Sequence, residues 1–285
     1  SFTAAVLGFY LPKEKWDVQT EDGLRVLHNL SQASHSHAQG KVGSGFDIAS
    51  AVYGSCLYKR FSPSLLSSLP APGSPGFATA LKELVEGPKW DTEIHKAAIK
   101  MPKGLRLVMC DVDCGSETPG MVKQVLKWRQ ENQEEADRIW GELQKGNEGL
   151  AAELTRLATA DSGSDYATLK QIIEENRKLI RQMSVASRVP IEPPQQTKLL
   201  DYCSTLNGVV GGVVPGAGGF DAIVLLVEDK EDVIAGLKQS LESYKVEDEG
   251  DGMKIGKVGV IGIREEMEGV RTEDLSLYKE WATRS

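Results

Sequence analysis

The 285-residue sequence predicts an α+β protein of two lobes, and three observations carry that expectation. The first 60 residues read mainly as helix. A Ser-, Pro- and Gly-rich stretch follows at 62–76. Beyond it, strands and helices are mixed, and two apolar runs flank a glycine cluster at 215–219 as a hairpin would. The expected lobes are 1–75 and 76–285, with the 62–76 stretch as linker. At this length a chain can build two cores.

In chain order, Phe2–Tyr10 reads as helix from its first residue, so the expectation is that sequence upstream is missing. Leu24, Leu27, His28, Leu30, Ala33 and Ala38 recur at intervals of three to four and predict a helix over 22–39. A Gly-rich loop comes next, then a short small-residue helix, Ile48 to Tyr53, with Gly54 at its exit. Ser55–Phe61 alternates and reads as a strand ending at Pro63. Phe77–Glu86 is a helix and Leu105–Val112 a strand. A further helix is expected from Met121 to about Gln130. The long stretch 123–188 is amphipathic and charged, which suits solvated helix faces. Pro193 and Pro194 open a helix over Gln195–Leu206. Residues 208–214 and 220–227 form the hairpin strands, 231–244 a helix and Gly256–Ile263 the last strand. An acidic surface tail runs from Glu265.

Hydrophobic content of 40% and charged content of 26% suit a globular protein, and the net charge of −8 argues against a nucleic-acid partner. No apolar run approaches the roughly 18 residues of a membrane span. Cys56, Cys110, Cys114 and Cys203 fit no zinc or disulfide spacing, and reduced thiols in a cytoplasmic protein are expected. The four histidines form no spaced ligand pair and read as surface or hydrogen-bonded side chains.

Two stretches suggest chemistry. In His37-Ala38-Gln39-Gly40-Lys41-Val42-Gly43-Ser44-Gly45-Phe46-Asp47 the glycines free the backbone, Lys41 supplies a cation and Ser44 a hydroxyl. Asp47 falls in the first turn of a helix. That set suits phosphoryl chemistry, and the plainer alternative is a Gly-rich turn before an ordinary helix. Pro215-Gly216-Ala217-Gly218-Gly219 has more glycine than a hairpin turn needs, which implies a close approach to its backbone. Ser116 and Thr118, between strand and helix, are either N-caps or part of an anion site. No dinucleotide fingerprint and no P-loop occurs.

Taken together, residues 37–47, Tyr53-Gly54-Ser55, Gly115-Ser116-Glu117-Thr118, Ile191-Glu192-Pro193-Pro194-Gln195-Gln196-Thr197 and 215–222 resemble the fungal-type phosphomevalonate kinases. These lie within the galactokinase, homoserine, mevalonate and phosphomevalonate (GHMP) kinases. The resemblance implies a ribosomal-protein-like amino-terminal lobe, here incomplete, and a ferredoxin-like carboxy-terminal lobe. It implies ATP- and Mg²⁺-dependent phosphorylation of 5-phosphomevalonate, with no nucleic-acid or membrane partner. Carried over by motif, Asp47 and Lys41 are catalytic. Gly43, Ser44, Gly45, Ser116, Thr118, Gly216, Ala217, Gly218 and Gly219 are substrate-binding. The family's ATP loop and an amino-terminal lysine would lie upstream of Ser1, or on another chain. On that basis the 285 residues alone are expected to be inactive. A related kinase acting on an alcohol, and a non-enzymatic relic of the fold using 123–188 as an interaction surface, are the competing readings.

Overall fold

Two compact units make up the computed structural model, one of residues 1–99 with 266–285 and the other of residues 100–265. It describes residues 2–96, 100–113, 118–159, 165–244, 255–263 and 265–278.

In the first unit, α1 (Phe2–Tyr10) precedes α2 (Glu21–Ala38). The side chain of Thr20 caps α2 by accepting from Gly23 N at 2.9 Å, and Glu21 and Asp22 complement the dipole. A loop leads to α3 (Phe46–Tyr53), then β1 (Leu57–Lys59), α4 (Ser64–Ser67), α5 (Phe77–Glu86) and β2 (Glu93–His95), which pairs antiparallel with β1. Leu27, Ala49, Val52, Phe61, Leu84 and Val85 form the apolar interior. α1 contributes nothing to it: Phe2, Phe9 and Tyr10 are all exposed.

The division differs from a boundary at residue 75. Asn29 on α2 donates to Val85 O at 3.0 Å, and Arg25 donates to Glu86 O at 3.1 Å, so α5 is bound into the first unit. The 62–76 stretch is part of that unit as well, since Ser62 N donates to Asp91 Oδ1 at 2.7 Å and α4 lies within it. The tail also belongs here. Ser55 N donates to Glu266 O (2.9 Å) and Val270 N to Val52 O (3.2 Å). Cβ atoms at Gly54 and Gly269 would strike Met267 O and Val52 O.

The second unit holds a four-stranded antiparallel sheet in the order β4 (Val209–Val213), β5 (Ala222–Glu228), β3 (Leu105–Val112), β6 (Val258–Ile261). Between β3 and β4 run α6 (Thr118–Glu131), α7 (Gln133–Thr159), α8 (Ala167–Ser187) and α9 (Pro194–Ser204). α10 (Glu231–Ser243) joins β5 to β6. With the four helices counted as one crossover, this is the βαββαβ ferredoxin-like connectivity. Val108, Cys110 and Val112 of β3 alternate inward with Ile223, Leu225 and Val227 of β5. Leu199, Leu200 and Cys203 of α9 and Leu237 of α10 complete the core. Gly212 is required there, because a Cβ would lie 2.4 Å from Leu225 Cδ2. Burial pushes the thiols of Cys110 and Cys203 up to about 12, as expected for packed, unreactive cysteines, while Cys56 is half-buried. Cys114 lies outside the described residues.

Candidate active site

The loop between α2 and α3 is set from beneath by a buried polar row. His28, Asn29 and Gln32 are each about 1% exposed, all on the inner face of α2. Asn29 Nδ2 donates to Val85 O, which fixes its Oδ1 as acceptor for His28 Nδ1, 3.2 Å away. His28 Nε2 is then left to accept from Gln32 Nε2 (3.1 Å), and Gln32 Nε2 also donates to Gly45 O at 2.8 Å. Every donor in the row has an acceptor only when His28 is neutral. Burial lowers its pKa and favours that state. Gly45 takes φ +73°, and a Cβ there would fall 2.5–2.9 Å from the Gln32 amide. A glycine is required on both counts.

At the loop's exit, Gly45 is the N-cap of α3 and offers no side-chain cap, so the first-turn N–H groups are open to an external acceptor. Asp47 sits in that first turn, its side chain 53% exposed, with His35 Nε2 3.4 Å from Oδ2. Arg60 donates to Gly43 O at 2.8 Å and holds the middle of the loop. The amides of Gly40 and Lys41 are used by His37 O and Ser36 O (3.0 and 3.1 Å), which closes α2. Val42, Gly43 and Ser44 amides find no acceptor among the described residues. Lys41 lines an open cavity of about 600 Å³ with Ser36, His37, Leu66, Leu69 and Phe77. Of the residues singled out in the sequence, Lys41 thus lines the cavity, Gly43 is held by Arg60, and Gly45 and Asp47 form the start of α3 with Ser44 before them. His35 and Arg60 were missed. Their signal is weak, because His35 reaches Asp47 from the last turn of α2, Arg60 reaches Gly43 from beyond α3 and β1, and neither lies in the glycine motif.

In the second unit the hairpin loop is Pro215–Gly219. Gly216, Gly218 and Gly219 take φ of +66°, +87° and +110°. The close approach implied by the glycines is made by the chain itself at Gly218, where a Cβ would lie 2.4 Å from Ile191 O. At Gly216 a Cβ would meet no atom within 4 Å, and that side of the loop is open. Ser116 and the side chain of Thr118 lie outside the described residues; the backbone of Thr118 begins α6. The Glu192 and Gln196 side chains are buried, so this segment turns its polar groups inward.

Residues 151–243 match the family model described as GHMP kinases C terminal. The chain carries a GHMP kinase carboxy-terminal domain. Around that domain the likeness extends over nearly the whole sequence. It is 53% identical over 267 residues to the phosphomevalonate kinase of Aspergillus fumigatus, covering 91% of this chain and 55% of that one. It is 51% identical over 282 residues to the phosphomevalonate kinase of Gibberella zeae, covering 99% and 61%. The chain therefore spans little more than half the length of these relatives. Its fold is similar to that of the Lin0012 protein of Listeria innocua, with TM-score 0.63 and 19% identity over 91% of this chain and 65% of that one.

Among the described residues no group of three or more His, Cys, Asp or Glu side chains is placed to hold a metal. Mg²⁺ on a nucleotide does not need one, since it binds one or two carboxylates plus phosphate oxygens. No helix among the described residues is long and apolar enough to cross a membrane.

Proposed function

We propose that this GHMP kinase chain belongs to a cytoplasmic enzyme that transfers the γ-phosphoryl group of ATP to 5-phosphomevalonate. The acceptor's terminal phosphate oxygen bonds to the γ-phosphorus, the bond to the β-phosphate bridging oxygen breaks, and ADP and 5-diphosphomevalonate leave. What supports the reading is the loop of the first unit, where Lys41 lines a cavity and, a few residues on, Asp47 sits in the first turn of an uncapped helix. The likeness to two fungal phosphomevalonate kinases supports 5-phosphomevalonate as the acceptor. Mg²⁺ would supply charge neutralisation on the nucleotide phosphates.

A phosphate monoester has a second pKa of about 6 and is mostly dianionic at pH 7, so little proton removal is needed. The larger barrier is bringing two anions together. Lys41 offsets that charge directly, and the Val42–Ser44 amides with the α3 start offer donors to it. Asp47 orients, held by His35, rather than acting as a base. The glycine loop of the second unit and Ser116 with Thr118 are assigned to substrate binding on the motif alone.

Calorimetric titration with 5-phosphomevalonate and with mevalonate tests this, because it reads the acceptor site whether or not turnover occurs. The phosphorylated acceptor should bind at least tenfold tighter, and Lys41→Ala should erase most of the difference. Equal affinities, or a preference for mevalonate, would overturn the assignment in favour of a kinase acting on an alcohol. In an active preparation, Asp47→Asn should lower turnover at every pH. A loss confined to the acidic side would mean that Asp47 removes a proton.

A further inference from the structure

The segment Ile191–Thr197 stands apart from both glycine loops in the sequence, yet its polar side chains are among the most deeply buried of the second unit. Glu192 is about 1% exposed at its side chain and takes a two-point grip from Arg177, with Nη2–Oε1 2.8 Å and Nε–Oε2 3.3 Å. Arg181 Nη1 adds a third bond at 2.9 Å and Thr197 Oγ1 a fourth at 3.1 Å. Arg177 also pairs with Asp201 and Glu174, and Arg181 with Glu174. The segment is thereby fastened to α8 at one end and to the first turn of α9 at the other.

What it holds is the glycine loop. Gly219 N donates to Ile191 O at 3.0 Å, and Gly218 lies so close to Ile191 that no side chain fits. Gln196, fully buried, donates from Nε2 to Phe220 O at 2.5 Å. Its Oε1 is buried with no hydrogen-bond partner among the described residues. An orphaned amide oxygen is costly, and a leucine or methionine of similar size would avoid it. The amide is retained for its donor.

We infer that Gln196 is a positioning residue that fixes the Pro215–Gly219 loop from behind, with the Arg177–Glu192 cluster anchoring the segment that carries it. The loop is pinned at Gly218–Phe220 and open at Gly216, so one rim is rigid while the other faces whatever the loop binds. That the loop binds substrate rests on the proposed function. The pinning does not.

Amide hydrogen exchange on the 285-residue chain tests it without turnover. Gln196→Met keeps the shape and removes the donor. It should reduce protection of the Gly219 N–H by about tenfold, the usual scale for one lost hydrogen bond. Protection of Val224–Val227 in β5 should be unchanged. Gln171→Met, which removes an exposed Gln171–Glu175 bond from α8, should leave Gly219 as it was. Gln196→Glu supplies the rescue: a protonated carboxyl can donate to Phe220 O and a carboxylate cannot. Protection at Gly219, corrected for intrinsic rates, should therefore recover as pH falls from 8 to 5. Unchanged protection in Gln196→Met overturns the inference. So does an equal loss across β5, an equal effect of Gln171→Met, or a pH-independent Gln196→Glu.

Discussion

Gly45 meets two demands that only glycine satisfies together, a left-handed φ and contact with the buried Gln32 amide. Gly45→Ala should lower stability by ~2 kcal/mol or more, read from the urea midpoint, because an L-residue loses about 1–2 kcal/mol in the left-handed region before any clash is counted. His28 adds a pH dependence to the same row. Its native pKa lies below its ordinary value of 6.5, so the unfolded chain binds the proton first. The neutral state's contribution is complete above about pH 6.5 and is lost as pH falls from there through the native value. The slope in that window should reach at most about 1.4 kcal/mol per pH unit. His28→Gln should flatten it, and an unchanged slope would place the titration elsewhere. Asp47 at a helix start was legible because Gly45 and the small residues after it mark the boundary. The row beneath was not legible. Helical periodicity is read from apolar residues, and on the inner face of α2 Leu27 and Ala33 carry it while Asn29, Gln32 and Ser36, which do not, are buried beside His28.

Helices whose ends are punctuated by proline or glycine were foreseen closely. α5 has Gly76 and Gly87 on its flanks, and α9 starts at Pro194. The strand at 57–59 is shorter than the alternating run 55–61 suggested, because only Leu57–Lys59 find partners on Glu93–His95. Pairing, unlike alternation, is set by a second segment. The 62–76 stretch has the composition of a linker, but α4 and Pro70 form a wall of the cavity beside Lys41. Composition reports a lack of regular structure and says nothing of what the chain touches. The charged residues of α8 read as a solvated face, and Lys170, Glu175 and Lys178 are exposed. Arg177 is buried, with Glu174 and Arg181 half-buried beside it, and Glu192 outside the helix is the partner that draws them in. Glu192→Gln should cost somewhat less than the ~3–5 kcal/mol typical of a stripped buried charge, since Arg177 retains Asp201 and Glu174. Pairing Arg177→Met with Glu192→Leu should recover part of that loss. Denaturant midpoints of the single and double variants would show it.

Across the whole chain, the four strands of the second unit and both glycine loops could be anticipated, and the attachment of the tail could not. An acidic run from Glu265 carries no apolar pattern, and its hold on the first unit comes from the backbones of Ser55, Val52 and Val270. Ending the chain at Glu265 should therefore speed amide exchange in α3 and at Ser55 while β3 and β5 of the second unit keep their protection. Equal loosening of both units would show that the tail acts more broadly. The position of that strap also bears on how the protein is made. On the ribosome the α3–β1 turn emerges long before the residues that cover it, because 100–265 are made in between. Ser55 and Glu266 are 211 residues apart, and at 5–20 residues per second that interval is roughly ten to forty seconds. For that time the turn after α3 lacks the backbone partners that Glu266 and Val270 supply. Of the two units, the one whose helices are made first is completed last, and the nascent chain spends the interval with the α3–β1 turn uncovered.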